Sequence, residues 1–367
     1  MAGANANSID SIDRAAADHA AVIARCFDDT SVWEYEKMLG NGSNGVVLLL
    51  RDRGQALPLG KKRAVLKVPI GGNDGRGEID LLIEIDALQR IRGCAHIIEM
   101  IAYCEDIGYA NQPRLSPADT VFDALRKSRI DGPGILLDYL ENGSLLDLAC
   151  IGLAYPPEIP DDGKRPELEL ETIREGVEAS LLRHSDIALR NIMIGDRDPT
   201  GPLERKHLFL RCVSLYNATT ADSHDRKDRL VEKLLLIDFG QLQEAVEPSR
   251  AAAYNINQAS DAMTSVINAS GRADSRRIPI LHKGNYTDAY AILPQRGVNH
   301  YLYLDTKLRD LIALGMASDI QKVPPLEDML KAVEEGMAKP ASAYIGRESE
   351  ESDDAVRRVM QTLVFDA

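Results

Sequence analysis

Four short apolar runs in the first 140 residues constrain the fold of this chain most strongly. They read VVLLLRDRG, RAVLKVPI, HIIEMIAYC and GILLDYL, and glycine, proline or charged residues bound each of them. Runs of this length and composition are typical of β-strands. One segment among them, GEIDLLIEIDALQRIRG, spaces its apolar residues as an amphipathic helix does, and Gly93 ends it. The sequence therefore predicts a sheet with a helix between two of its strands.

Helical patterns dominate the last third of the chain, as in PLEDMLKAVEEGM and DDAVRRVMQTLVF. Because strands come first and helices later, we expect an α+β protein whose parts segregate into two lobes. We predict an N-terminal extension at residues 1–30 with a short helix, a β-rich lobe at 31–140 and a helical lobe at 141–367. Polar segments at about 109–133 and 196–230 are predicted insertions, the first with a single helical turn.

Composition narrows the functional classes. The net charge is −14, with 57 acidic and 43 basic residues, which argues against general binding to nucleic acid or to an anionic membrane. The five cysteines are scattered without a C-x-x-C pair, so we expect a reducing compartment. No apolar run is long enough for a membrane span, and the start MAGANANSIDSIDR lacks the pattern of a secretory signal. These features favour a cytoplasmic protein, with the nucleus as the alternative.

The segment LGNGSNGVV combines Gly40, Gly42 and Gly45 with Val47. Glycine lets a backbone approach a phosphate closely, and this spacing is G-x-G-x-x-G-x-V. A strand-like run follows it, whereas the dinucleotide-binding version of the motif is followed by a helix. The alternative is an ordinary glycine-rich hairpin, and the motif alone leaves both interpretations open.

A lysine inside an apolar run needs either solvent or a partner, because burying an unpaired ammonium is costly. Lys67 occupies such a place in AVLKV, and Glu84 lies on the predicted helix downstream. The two side chains could pair across a cleft. The alternative is a surface lysine on an edge strand, which is common at sheet edges.

Two further segments place oxygen-bearing side chains beside apolar runs. HSDIALRN holds Asp186 and Asn191 just before IMI, and LLLIDFGQ ends a buried strand with Asp238. Mg²⁺ in proteins binds one or two carboxylates together with phosphate oxygens, so Asp238 and Asn191 are candidate metal ligands. Polar turns next to buried strands are the alternative for both segments.

The order of these motifs along the chain is more specific than any one of them. A glycine-rich loop, a strand lysine, a helix glutamate, D-x-x-x-x-N and D-F-G follow one another over residues 33–245, and in this order the chain resembles the protein-kinase superfamily. The resemblance implies a bilobal fold with a small β-rich N-lobe and a larger helical C-lobe. It also implies ATP and Mg²⁺ as cofactors. The implied nucleotide-binding residues are Gly40, Asn41, Gly42, Ser43, Gly45, Val47, Val65, Lys67, Leu137, Asp138, Leu140 and Met193.

The same resemblance implies the remaining roles. Lys67 would contact the α- and β-phosphates and be oriented by Glu84, while Asp238 and Asn191 would hold Mg²⁺. Asp186 would accept the proton of the acceptor hydroxyl or orient that hydroxyl, and Arg190 would reach the γ-phosphate. Leu137 resembles a gatekeeper, and the backbone at 138–140 a hinge that hydrogen-bonds adenine.

The chain also departs from the family pattern. Ser185 replaces the usual arginine of H-R-D, and Ala188 replaces the lysine that kinases acting on Ser or Thr carry. Val65 stands where a smaller alanine is usual, and no A-P-E triplet follows Asp238. The H-x-D-I-x-x-x-N phrasing is similar to that of divergent kinase-like proteins of fungi.

Three functions compete at this point. An active protein kinase comes first, because the implied nucleotide and metal residues are all present. A small-molecule kinase of the aminoglycoside or choline kinase type comes second, supported by the missing A-P-E triplet. A pseudokinase scaffold that binds nucleotide, or nothing, comes third. The expected partner is a protein substrate or a small phosphate acceptor, and neither nucleic acid nor membrane is expected.

Overall fold

The structure is a computed structural model of the chain. It describes residues 6–42, 45–54, 56–58, 61–70, 75–92, 97–109, 116–144, 146–147, 182–184, 187–194, 234–238, 242–244, 248–268, 278–301, 304–337, 339 and 341–343. The helix predicted in DDAVRRVMQTLVF lies outside these residues, and so does most of the one predicted in LELETIREGVEASLLRHS. The described end of the latter, Leu182–His184, is a β-strand and not a helix, so the prediction was wrong there.

The chain divides into two compact units. The first comprises Met1–Gly93, Ile98–Tyr139 and Asp238–Gln241. The second comprises Cys94–Ile97, Leu140–Ile237 and Leu242–Ala367. The segment at residues 1–30, which the sequence set apart as an extension, is therefore part of the first unit.

A five-stranded antiparallel sheet organises the first unit. The strands are β1 (Trp33–Gly42), β2 (Gly45–Asp52), β3 (Arg63–Val68), β4 (Met100–Cys104) and β5 (Gly134–Asp138). Their order in the sheet is β1-β2-β3-β5-β4, so that β3 lies at the centre. The four apolar runs of the sequence correspond to β2, β3, β4 and β5, as predicted. Their Val-, Ile- and Leu-rich composition suits a pleated sheet with buried faces.

One face of this sheet packs on helix α1 (Ala6–Arg25). Side chains alternate between the faces of a strand, and Leu48, Leu66 and Leu136 all point into the core cluster that includes α1. Helix α1 contributes Ala16, Ala20 and Ile23 to that cluster, spaced by four and three residues as one helix face requires. The sequence predicted only a short helix here, because the alanine-rich stripe carries little apolar signal.

Two shorter helices complete the first unit. Helix α2 (Arg76–Arg90) follows Gly75, whose φ of 61° is in the left-handed region, and it buries Leu81, Ile85 and Leu88 on one face. Helix α3 (Thr120–Lys127) lies within the predicted insertion at 109–133. It is longer than the single turn that we expected, because Val121, Phe122, Ala124 and Leu125 give it a buried face.

The described part of the second unit contains short strand pairs and helices. Strand β6 (Leu182–His184) pairs with β9 (Leu242–Glu244), β7 (Ile192–Ile194) with β8 (Leu234–Leu236), and β10 (Ile280–His282) with β11 (Asn285–Thr287). The helices are α4 (Pro248–Ile267), α5 (Thr306–Gly315) and α6 (Leu326–Met337).

Helix α4 contributes to two apolar clusters of the second unit. Its Met263 packs in a cluster with Ile292 and Ile312, and its Ile256 packs in another with Leu311 and Val333. The protein is thus of mixed α and β structure, with one five-stranded antiparallel sheet and six α-helices among the described residues.

Candidate functional site

The candidate site begins on the face of the sheet that points away from α1. Lys67 lies opposite Val47 of β2, and Val65 lies opposite Leu137 of β5. Residues 65 and 67 are two apart on β3 and directly opposed residues share a face, so these four side chains lie together. The sequence had assigned all four to the nucleotide site. The sheet therefore presents three apolar side chains beside one ammonium.

Lys67 forms two ion pairs within the first unit. Its Nζ donates to Glu84 Oε2 at 2.5 Å and to Asp238 Oδ1 at 3.0 Å. Burial lowers the pKa of Lys67, but the two carboxylates together raise it by more, so that the pKa lies above its ordinary value. Lys67 is therefore an ammonium at every physiological pH.

Glu84 reaches Lys67 from the buried side of α2. It lies between Leu81 and Leu88 on the inward-facing stripe of that helix, and it is only 1 % exposed. A carboxylate at such a position needs a cation, since an uncompensated buried charge is strongly destabilising. The contact predicted from the sequence is thus present, and it also fixes α2 against β3.

Asp238 follows β8 and has a left-handed backbone with φ of 63°. A residue other than glycine in this region stores of order 1 kcal/mol of strain, and such strain concentrates at functional sites. The Asp238 side chain is 43 % exposed, in contrast to Glu84. Its carboxylate therefore contacts Lys67 and is partly exposed to solvent. With both carboxylates ionised, the cluster has a net negative charge and suits a cation.

The glycine-rich segment forms the end of the β1–β2 hairpin. Gly40 pairs with Val47 and Asn41 with Val46, while Ser43 lies outside the described residues. Gly40 and Gly45 differ in how closely other atoms surround them. A Cβ on Gly40 would meet nothing within 4 Å, whereas a Cβ on Gly45 would lie 2.4 Å from the carbonyl oxygen of Val68. Close packing on β3 is therefore sufficient to explain Gly45, independently of any ligand.

The segment proposed as the hinge starts at the end of β5. The backbone N–H of Asp138 donates to the carbonyl of Glu99, and Asp138 Oδ1 accepts from the N–H of Tyr139. Lys61 Nζ lies 2.8 Å from both Glu99 Oε2 and Asp138 Oδ2. Sequence reasoning missed Lys61 and Glu99, because neither belongs to a linear motif. Leu140, the next hinge residue assigned from the sequence, is buried and begins a segment of the second unit.

The second unit holds the remaining assigned residues. Asn191 ends the 3₁₀ turn Leu189–Asn191 and is buried at 4 % exposure, while its neighbour Arg190 is exposed. The carbonyl of Asn191 accepts from the N–H of Ile237, the residue before Asp238 in the sequence. Met193 lies on β7 opposite Leu235. Asp186 and Ser185 lie outside the described residues.

A residue of α4 holds the backbone next to Asp186 in sequence. Gln258 Oε1 accepts a hydrogen bond of 2.7 Å from the N–H of Ile187, 71 residues away along the chain. Sequence reasoning gave no signal for this contact, because a glutamine on a helix has no distinctive spacing. It anchors the D-x-x-x-x-N segment to the longest described helix of the second unit.

Comparison of the chain with protein-family models and with curated proteins finds no match. Among the described helices, none combines the length and apolarity that crossing a bilayer requires.

Proposed function

We propose that this chain is an ATP-dependent phosphotransferase, and that it transfers the γ-phosphate of ATP to a protein hydroxyl. The observation that carries the proposal is the convergence of Lys67, Glu84 and Asp238, which are widely separated in the sequence. An ammonium held by a buried carboxylate and by a second, partly exposed carboxylate is what binding of a phosphate–metal complex needs. The proposed architecture is bilobal, with a smaller lobe built on the first unit and a larger one built on the second.

In this proposal the adenine base binds on the sheet. Val47, Val65 and Leu137 form an apolar strip on the same face as Lys67. An adenine ring packed there would direct its phosphates towards the ammonium. The β1–β2 hairpin would cover those phosphates with backbone N–H groups, since Gly40 has open space around it.

Asp238 fits the role of a magnesium ligand, because Mg²⁺ prefers carboxylate oxygens and this carboxylate is partly exposed. Asn191 would supply a second oxygen. The ion, when bound, would neutralise charge on the phosphates and hold them in position. Lys67 would add its positive charge to the α- and β-phosphates.

The proposed reaction is a single in-line displacement at phosphorus. The bond from the γ-phosphorus to the bridging oxygen of ADP breaks, and a bond to the acceptor hydroxyl oxygen forms. Asp186 would take the hydroxyl proton, and ADP leaves with the bridging oxygen. Gln258 ties the backbone of Ile187, the residue after Asp186 in the sequence, to α4.

The test is binding and transfer with γ-labelled ATP. Wild-type protein with Mg²⁺ is titrated with ATP by calorimetry and then incubated with labelled ATP and a generic protein acceptor. We expect binding and labelling, and we expect Asp238→Asn to abolish labelling while the protein stays folded. Asp29→Asn is the matched control, because Asp29 is exposed in the same unit. The proposal is wrong if the wild-type protein neither binds nor turns over ATP.

A small-molecule acceptor is the second candidate, favoured by the absence of an A-P-E triplet after Asp238. The same labelled assay separates the two. Label on amino alcohols, sugars or aminoglycosides, with none on protein, would assign the second function. ATP binding without any transfer would instead identify a pseudokinase.

A further inference from the structure

Three charged side chains meet at one end of the sheet, beside the segment proposed as the hinge. Lys61 precedes β3, Glu99 precedes β4, and Asp138 ends β5. Lys61 Nζ lies 2.8 Å from both carboxylates. Because β3, β5 and β4 are neighbours in the sheet, the cluster joins the ends of three consecutive strands.

Asp138 uses both of its oxygens. Oδ2 pairs with Lys61, and Oδ1 accepts from the N–H of Tyr139 at 3.1 Å. The N–H of Asp138 itself donates to the carbonyl of Glu99 at 3.0 Å. The ion pair therefore holds the side chain that in turn holds the backbone of Tyr139.

The cluster is half-shielded from water. The side chains of Lys61 and Asp138 are 29 % and 22 % exposed, whereas that of Glu99 is 61 % exposed. Burial lowers the pKa of Lys61, but the hydrogen bonds and charges of Asp138 and Glu99 raise it by more, so that the pKa is above its ordinary value. Lys61 is thus a permanent cation, and its pair with Asp138 is the better shielded of the two.

We propose that Lys61 is a positioning residue, which acts through Asp138 to fix the backbone of residues 138–139 for recognition of the nucleotide base. The inference rests on the proposed function, which places the base at this segment, and it adds a residue that no motif indicated. Lys61 itself does not touch the nucleotide. Removal of the Lys61 side chain should therefore weaken the contribution of the adenine base to the affinity for ATP and leave the contribution of the phosphates unchanged.

The experiment compares three ligands of the full-length protein by calorimetry: Mg-ATP, adenosine and magnesium tripolyphosphate. Lys61→Met should weaken the binding of ATP and of adenosine by the same factor, about fivefold for the loss of the partly exposed ion pairs of Lys61, and leave the binding of tripolyphosphate unchanged. Lys61→Arg should restore most of the affinity, since it keeps the charge and the reach. Lys62→Met is the matched control, because Lys62 is the exposed neighbour, and it should bind all three ligands as wild type does.

Asp138→Asn breaks the same ion pair from the other side and should reproduce the selective loss. If Lys61→Met fails to fold, the affinities of Asp138→Asn for the three ligands test the inference in its place. Unchanged ATP and adenosine affinity in these variants overturns the inference, and so does an equal loss for tripolyphosphate. Wild-type protein that binds none of the three ligands would contradict the proposed function instead, so the two failures are distinguishable.

Discussion

Replacing Lys67 by methionine should destabilise the first unit severely at neutral pH. The substitution keeps the length of the side chain but leaves Glu84, which is 1 % exposed, without the ammonium 2.5 Å away. Removing one partner of a buried ion pair costs about 3–5 kcal/mol, because the remaining charge is uncompensated. The Lys67 side chain is 18 % exposed, so some water reaches the pair. We therefore expect a loss of about 3 kcal/mol, the lower end of that range.

The single tryptophan makes this measurement specific to the first unit. Trp33 is 1 % exposed at the start of β1, and its Nε1 donates to Thr120 at 3.0 Å. Its fluorescence during urea unfolding therefore reports on the unit that contains Lys67 and Glu84. Lys62→Met serves as the control for removing a lysine, and we expect it to change the free energy of unfolding by less than about 0.5 kcal/mol.

The double variant Lys67→Met/Glu84→Gln tests the cause of the loss. Glutamine carries no charge, so that the penalty for the buried carboxylate disappears and most of the lost stability should return. Two results would refute the reasoning. One is a Lys67→Met protein that unfolds within about 0.5 kcal/mol of wild type. The other is a double variant that is no more stable than Lys67→Met, which would show that packing, not charge, causes the loss.

Two further predictions concern other parts of the first unit. Gly45→Ala should lower the free energy of unfolding by about 1–3 kcal/mol, since its Cβ would lie 2.4 Å from the Val68 carbonyl oxygen. Gly40→Ala should lower it by less, because a Cβ at Gly40 meets nothing within 4 Å. Equal thermal midpoints for the two variants would contradict this prediction. His19 donates from Nε2 to the Pro69 carbonyl at 3.1 Å, and burial lowers its pKa below the ordinary 6.5. Its contribution to stability is therefore present above about pH 6.5 and lost as the pH falls through the folded-state pKa. His19→Gln should flatten the acid side of the plot of thermal midpoint against pH, and a plot unchanged from wild type would count against it.

The sequence predicted those parts of the fold in which local pattern and burial agree. β2, β3, β4 and β5 follow apolar runs, because these strands are buried on at least one face. Helix α2 was predicted in the right place from its 3.6-residue period, but the apolar residues Ile79, Leu82 and Ile83 lie on its exposed side, and Leu81, Ile85 and Leu88 form the buried face. The Lys67–Glu84 contact could be predicted because both residues belong to an ordered series of motifs. Their roles in binding or catalysis stay predictions.

The features that the sequence did not reveal depend on tertiary contacts. The length of α1 was underestimated, since its buried face is largely alanine and carries little apolar signal. Helix α3 lies in a segment punctuated by proline and glycine, which is typical of a loop. Lys61, Glu99 and Gln258 act through partners that are far away along the chain, and no local spacing records such contacts.

Helix α1 has a practical consequence for anyone who shortens this chain. Its Ala16, Ala20 and Ile23 pack with residues of β2 and β3 in one cluster. The motif positions would suggest a fragment that begins at Trp33. Such a fragment would expose the apolar face of β2 and β3 that α1 covers, and we expect it to self-associate. Fragments intended for crystallisation or NMR should accordingly keep residues 6–25.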